Sequence, residues 1–453
     1  MPMSPADSRR IWIIGAIIAL LTLTTLVAVQ ARQRVIKKQF SAHPRDTNDF
    51  DRWMRMVPAF LHQHVNYVND LFPTAPNNLV ILAPFTWVSP ANAQFIWVYC
   101  KLIFVVAIFW FAMNMLQGTG VQLHPAILAL ILATWFWPII GDMQEGQINL
   151  LMLLPLAAGL WAAGKQTRPM DYLAGFMIGL AICIKVTPLI FIPYFIYRRR
   201  WKVALATVLG VCTWFVIMPS MVFGPVQALT WIIEWIRIMI TPYVVHGTVR
   251  ITEGESIPSF VTRLLRHVPA FKDFHHGAWQ KYYVNVVNLP AALVDWLVRF
   301  ILLAIVGAMA WWGRKPIKNY RGQQYLKECG CVTAFMLWAS AWTWVPHYVT
   351  LIFALFAAGM IASDLTYPEK TRRLATWALI LAAVLMLFTS DIVKIFGPEA
   401  PNYSRTFDPV LLLSAVIVFA IMRSPRKDAP AIDPARVAAV PAQPPLIGDD
   451  GNK

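Results

Sequence analysis

Apolar runs of about 20 residues, the length needed to cross a hydrocarbon core of about 30 Å, recur along most of this 453-residue chain. Such runs select lipid as solvent, where only helices and closed barrels satisfy every backbone group. Ten crossings are predicted, over residues 11–29, 94–116, 123–140, 147–163, 203–219, 293–312, 330–345, 348–362, 374–392 and 409–422. One more apolar stretch, 172–197, is interrupted by Lys185-Val186-Thr187-Pro188 and reads as two half-helices meeting at a break. The expected fold is an all-α polytopic membrane protein with a broken or re-entrant helix pair. A single transmembrane domain is expected over 1–422, with long outer loops at 30–90 and 220–290 and a disordered Pro- and Ala-rich tail over 423–453. Composition agrees, with 58% hydrophobic and 14% charged residues and a mean hydropathy of +0.55.

Short basic loops set the orientation. Lys165 with Arg168, Arg198 to Arg200 with Lys202, the stretch 314–327, Lys370 to Arg373 and the stretch 423–427 all fall on one face. The bias of Lys and Arg toward cytoplasmic loops makes that face cytoplasmic and the two long loops extracytoplasmic. The first span follows Arg9 and Arg10 and reads as uncleaved. A net charge of +16 beside membrane spans suits anionic lipid head groups rather than nucleic acid. Cys100, Cys183, Cys212, Cys329 and Cys331 have no framework spacing. No nucleotide-binding glycine loop is present, and neither adjacent His275-His276 nor any carboxylate cluster offers a metal cage, so no cofactor or metal is expected.

Five polar features converge on the extracytoplasmic side. Asp49 and Asp51, with Arg45, Arg52 and Trp53 nearby, form a carboxylate pair suited to a general base at a bilayer surface, or else a solvated loop. The stretch 141–146 reads as a turn leading into Gln147-Ile148-Asn149, whose polar groups suit ligand binding or helix capping. Lys185 in the break suits a lipid phosphate, or snorkels toward head groups. His347, in the Trp-Val-Pro-His-Tyr stretch over 344–348, suits a phosphate ligand or interfacial packing. Glu255, in Glu-Gly-Glu over 253–255, precedes Arg263, Arg266 and His267, and residues 231–243 before it read as a helix lying in the interface.

These residues resemble a family. Asp49-Phe50 with Trp53, the stretch 76–85 reading Pro-Asn-Asn-Leu-Val-Ile-Leu-Ala-Pro-Phe, Gly146-Gln147-x-Asn149, Ala174-Gly175 with Gly179-Leu180, Lys185-x-x-Pro188 and the 344–348 stretch are similar to glycosyltransferase family 87. The resemblance implies a C-superfamily fold and transfer of one sugar, mannose in the best-known members, from a polyprenyl-phosphate donor to a glycolipid or glycan acceptor with inversion. It implies Asp49 as base, with Asp51 as the alternative, and Lys185, His347, Gln147, Asn149, Arg52 and Glu255 around the donor phosphate and substrates. Thr74-Ala75-Pro76 stands where the family commonly has Tyr-Pro-Pro, a departure bearing on donor and acceptor identity. Two other readings stand beside this one: a flippase of lipid-linked saccharide, which also suits a broken helix, and a surface-polysaccharide polymerase or ligase.

Overall fold

The computed structural model describes residues 21–37, 47–62, 74–244, 252–275, 278–340, 342–389, 391–397 and 400–427. Arg45, His276, the start of the first predicted span and residues 428–453 of the predicted tail lie outside them. Among the described residues, five helices are long and apolar enough to cross a membrane: Pro90–Gln117, Pro125–Gln144, Trp201–Phe223, Ala291–Trp312 and Val345–Ser363. Asn149–Gly164, Thr187–Tyr197 and Pro409–Arg423 are apolar but shorter. The expected ten crossings therefore resolve into five helices of full length, several shorter or more polar ones such as Glu369–Leu387, and a helix over 21–37 that begins where the description does.

Burial sorts these helices. Val345–Ser363 is the central post, with 89% of its apolar window buried, whereas Ala291–Trp312 has 11% buried and turns Leu297, Phe300 and Leu303 outward. Small residues bring the neighbouring helices together. A Cβ on Gly175 would lie 2.4 Å from the Ala206 Cβ, and one on Gly179 would lie 2.7 Å from the Gly210 carbonyl carbon. The Gly-x-x-x-Gly pair thus lets Arg168–Ile184 touch Trp201–Val211 backbone to backbone, the packing that operates when no hydrophobic force separates helix from lipid.

The break in the 172–197 stretch is present. Arg168–Ile184 ends at Lys185, whose φ of −152° and ψ of 129° are extended, and a 3₁₀ turn over Thr187–Ile190 leads into Phe191–Tyr197. Two other expectations are corrected. Residues 141–146 are not a turn throughout, because Pro125–Gln144 continues through Asp142 and buries it completely. Lys327 is not in a basic loop: Gln323–Trp338 begins earlier than the predicted 330–345 span, and Lys327 is buried against Tyr367 Oη at 3.3 Å, Ser424 Oγ at 3.1 Å and the Pro425 carbonyl at 2.9 Å. Polar residues are affordable there because each has a partner, as Glu328 has in Arg198 Nε at 2.7 Å and Tyr194 Oη at 3.1 Å.

The described parts of the predicted long loops contain regular structure. The first contains Asp49–Leu61 and Asn77–Leu82, and the second contains Pro225–Trp235, Ile257–Leu265 and an antiparallel hairpin of Phe271–His275 with Ala278–Tyr282. The hairpin departs from an all-α fold. Residues 231–243 are helical as expected, with a π-helical segment over Ile236–Ile240.

Candidate active site

Asp49 opens a helix because Asn48 caps it: the Asn48 side chain accepts from the Asp51 N–H at 2.9 Å. The helix is seated by Phe50, which stacks on Trp97 at 5.0 Å and meets Phe85 edge-on at 5.5 Å. Its first turn is bonded to residues 144–147. The Asp49 N–H donates to the Glu145 carbonyl at 3.1 Å, and the Asn48 side-chain amide donates to the Gln144 carbonyl at 3.1 Å. Gly146 makes this approach possible, with a φ of +66° and the Phe50 nitrogen 2.7 Å from where a Cβ would stand.

The two carboxylates of this turn differ in environment. Asp51 is buried, and its Oδ2 accepts from the Thr47 N–H at 2.9 Å and the Thr47 hydroxyl at 3.1 Å. Asp49 remains 30% exposed, with Oδ1 against Arg52 Nη2 at 2.8 Å and Oδ2 accepting from the Gln147 side-chain amide. Each carboxylate oxygen has a second lone pair, so the oriented Asp49 can still take a proton. Asp51 ties the helix start together, and Asp49 faces outward.

Lys185 donates to Asn149 Oδ1 at 2.7 Å, so its ammonium turns into the fold and does not snorkel. It is close enough to Asp49 and Asp142 to feel both charges. Lys185, Asn149, Thr187, Thr343, His347 and Thr350 line one small cavity. Neither Asp142 nor Asn149 acts as a cap: the Asn149–Gly164 helix has no side-chain cap bond, and Asp142 pairs with Lys101 at 2.9 Å, both side chains fully buried. Lys101 was not legible as a site neighbour, since it lies within the apolar Pro90–Gln117 run.

His347 accepts the Trp344 N–H at Nδ1, 3.2 Å away, which leaves Nε2 to carry the ring proton. An imidazolium would lose that bond, so the ring stands beside Lys185 as a neutral donor. Glu255 is buried on the adjoining segment, its N–H donating to the Thr343 carbonyl at 2.6 Å and its carbonyl accepting the Tyr348 hydroxyl at 2.8 Å. Arg263 does not reach this cavity. It is spent on the Thr252 and Gly254 carbonyls at 2.5 and 2.6 Å and on Asp408 at 2.5 Å. His267 stacks on Tyr283, centroids 4.1 Å apart. Among the described residues, no three His, Cys, Asp or Glu side chains gather as metal ligands.

Residues 75–340 match glycosyltransferase family 87, more than half of the chain. The chain belongs to glycosyltransferase family 87. Within the matched residues of this family 87 chain lie Gln147, Asn149, Lys185 and Glu255, while Asp49, Asp51, Arg52 and His347 lie outside them. It is similar to the polyprenol-phosphate-mannose-dependent alpha-(1-2)-phosphatidylinositol mannoside mannosyltransferase of Mycobacterium tuberculosis, 23% identical over 71% of this chain and 68% of the relative. It is also similar to the M. tuberculosis polyprenol-phosphate-mannose-dependent alpha-(1-2)-phosphatidylinositol pentamannoside mannosyltransferase, 28% identical over 29% of this chain and 30% of the relative. The Mycolicibacterium smegmatis pentamannoside enzyme is 33% identical over 19% of this chain and 20% of its own length. No solved structure matches the chain. The family 87 chain is thus a membrane glycosyltransferase that uses a polyprenyl-phosphate sugar.

Proposed function

We propose that the chain transfers a single mannose from a polyprenyl-phosphate donor to a glycolipid acceptor at the extracytoplasmic face of the plasma membrane, with inversion at the anomeric carbon. One observation carries the reading: an outward-facing carboxylate, Asp49, is held by Gln147 and Arg52 beside the residues leading to the Asn149, Lys185 and His347 cavity. In the step, the acceptor hydroxyl oxygen attacks the anomeric carbon while Asp49 takes its proton. The bond from that carbon to the phosphate oxygen breaks, and polyprenyl phosphate leaves with the electron pair. Lys185 neutralises the phosphate as its charge develops, and the His347 Nε2–H donates to it. The donor's glycosyl phosphate bond supplies the driving force. A phosphatidylinositol mannoside acceptor is favoured by the names of the mycobacterial relatives.

The test uses purified full-length protein with polyprenyl-phosphate mannose and a phosphatidylinositol mannoside in detergent. A product one hexose heavier, with release of polyprenyl phosphate, is the expected result. Turnover with a different polyprenyl-phosphate sugar and none with mannose would overturn the choice of sugar, and a product with retained configuration would overturn the single displacement.

A further inference from the structure

Lys101 lies four residues beyond Trp97 and faces its ring at 5.3 Å, and that ring stacks on Phe50, the neighbour of Asp49. The Lys101 ammonium meets the Asp142 carboxylate as an ion contact, and it also donates to the Asp142 backbone carbonyl. That same carbonyl accepts the Gln147 N–H at 3.1 Å. The Gln147 side chain then reaches Asp49. Two residues beyond Gln147 stands Asn149, whose Oδ1 accepts from Lys185 at 2.7 Å. Asp142 is therefore connected to Asp49, since its backbone carbonyl accepts from both the Lys101 ammonium and the Gln147 N–H, and the Gln147 side chain reaches Asp49.

Burying an ion pair is a weak route to stability, since desolvation of both charges offsets most of their attraction and an apolar pair of similar volume does as well or better. Retention of the pair inside an apolar helix bundle calls for another role. We propose that Lys101 and Asp142 are positioning residues that hold Gln147, and through it Asp49, in place for the displacement. The proposal rests on the reading of Asp49 as base.

The test compares the full-length wild type with Lys101→Met/Asp142→Asn, which removes both charges together and leaves neither unpaired, and with Gln147→Ala and Asp49→Asn. The double variant is expected to fold with a thermal midpoint near that of the wild type. Its kcat is expected to fall about 10–100-fold, the scale of a misplacement near 1 Å, with donor and acceptor KM changing less. The acid limb of its kcat–pH profile is expected to move, and Gln147→Ala is expected to move it in the same direction. A wild-type kcat and acid limb per folded molecule in the double variant would overturn the proposal. Should the double variant not fold, Lys101→Arg, which keeps the charge and changes its geometry, is read in the same way, and failure of both to fold would overturn the proposal in favour of a folding role. Asp49→Asn separates the two ideas. An active Asp49→Asn sinks the base reading itself, whereas an inactive one beside an unaffected double variant sinks only the positioning role.

Discussion

Asp49 and Asp51 are two residues apart and do different work because one side chain is open and the other is enclosed. Asp49→Asn keeps size and polarity but cannot accept a proton, so kcat is expected to fall about 10²–10⁴-fold, the usual contribution of a general base, with donor binding largely kept. Asp51→Asn is expected to act on stability, lowering it by about 1–3 kcal/mol for a buried acceptor weakened at Thr47, with near-normal turnover per folded molecule. Radiolabelled sugar transfer and thermal melts on the same preparations check both, and the reverse order would exchange the two roles. For His347, a neutral ring bonded at Nδ1 means that donor affinity is expected to show no imidazole titration, in contrast to a cationic ligand. His347→Gln keeps a donor and is expected to retain more activity than His347→Ala, which raises the donor KM.

At the scale of elements, Gly146 places the start of the Asp49 helix, and Gly175 and Gly179 seat Arg168–Ile184 against Trp201–Val211. Gly146→Ala introduces a Cβ 2.7 Å from the Phe50 backbone and side chain and strains a left-handed φ, so it is expected to displace the helix that carries the base. Activity is expected to fall more than the thermal midpoint does, because the remaining helices do not depend on that contact. Gly175→Ala is expected to behave in the opposite way, lowering the midpoint by separating two helices whose Cβ contact would be 2.4 Å. Adding Ala206→Gly is expected to restore little of that loss, since it removes one clashing atom but leaves the Ala206 carbonyl carbon and the Thr207 nitrogen 2.6 Å away. Differential scanning fluorimetry on the single and double variants checks it, and full recovery in the double variant would place the strain in the Ala206 Cβ alone.

Across the whole molecule, the polar network at the end opposite the site joins distant segments. Asp364 follows the central Val345–Ser363 helix. Burial pushes its carboxyl up, but bonds from the Thr366 N–H at 2.9 Å, the Thr366 hydroxyl at 2.6 Å and Gln323 at 2.8 Å, with Lys427 at 3.5 Å, hold it below its ordinary value. A carboxyl lowered on folding stabilises the fold above its unfolded value of about 3.9 and loses that contribution as pH falls through the folded value. Acid melting below about pH 4 is therefore expected to be less steep in Asp364→Asn, with little change in slope between pH 6 and 8. Melting curves over that range check it, and equal acid slopes in both proteins would show that Asp364 is not one of the groups that titrate.

The membrane class, the positions of the long apolar helices, the break at Lys185 and the set of polar stretches around the site were legible in the sequence. Each is a local property: about 20 apolar residues in a row, a Pro after a Lys, a carboxylate pair beside an aromatic. Tertiary structure alone decided which polar groups meet. Lys101 and Asp142 are 41 residues apart and Arg263 and Asp408 are 145 apart, so no local period marks either pair. The start of Gln323–Trp338 was hidden for a related reason, since Gln323, Gln324, Lys327 and Glu328 look like loop residues until their partners close around them. Hydropathy reports the cost of leaving each side chain unpartnered in lipid. Only the folded chain supplies the partners that remove that cost, and with them the separation of Asp49 from Asp51 and the orientation of Lys185.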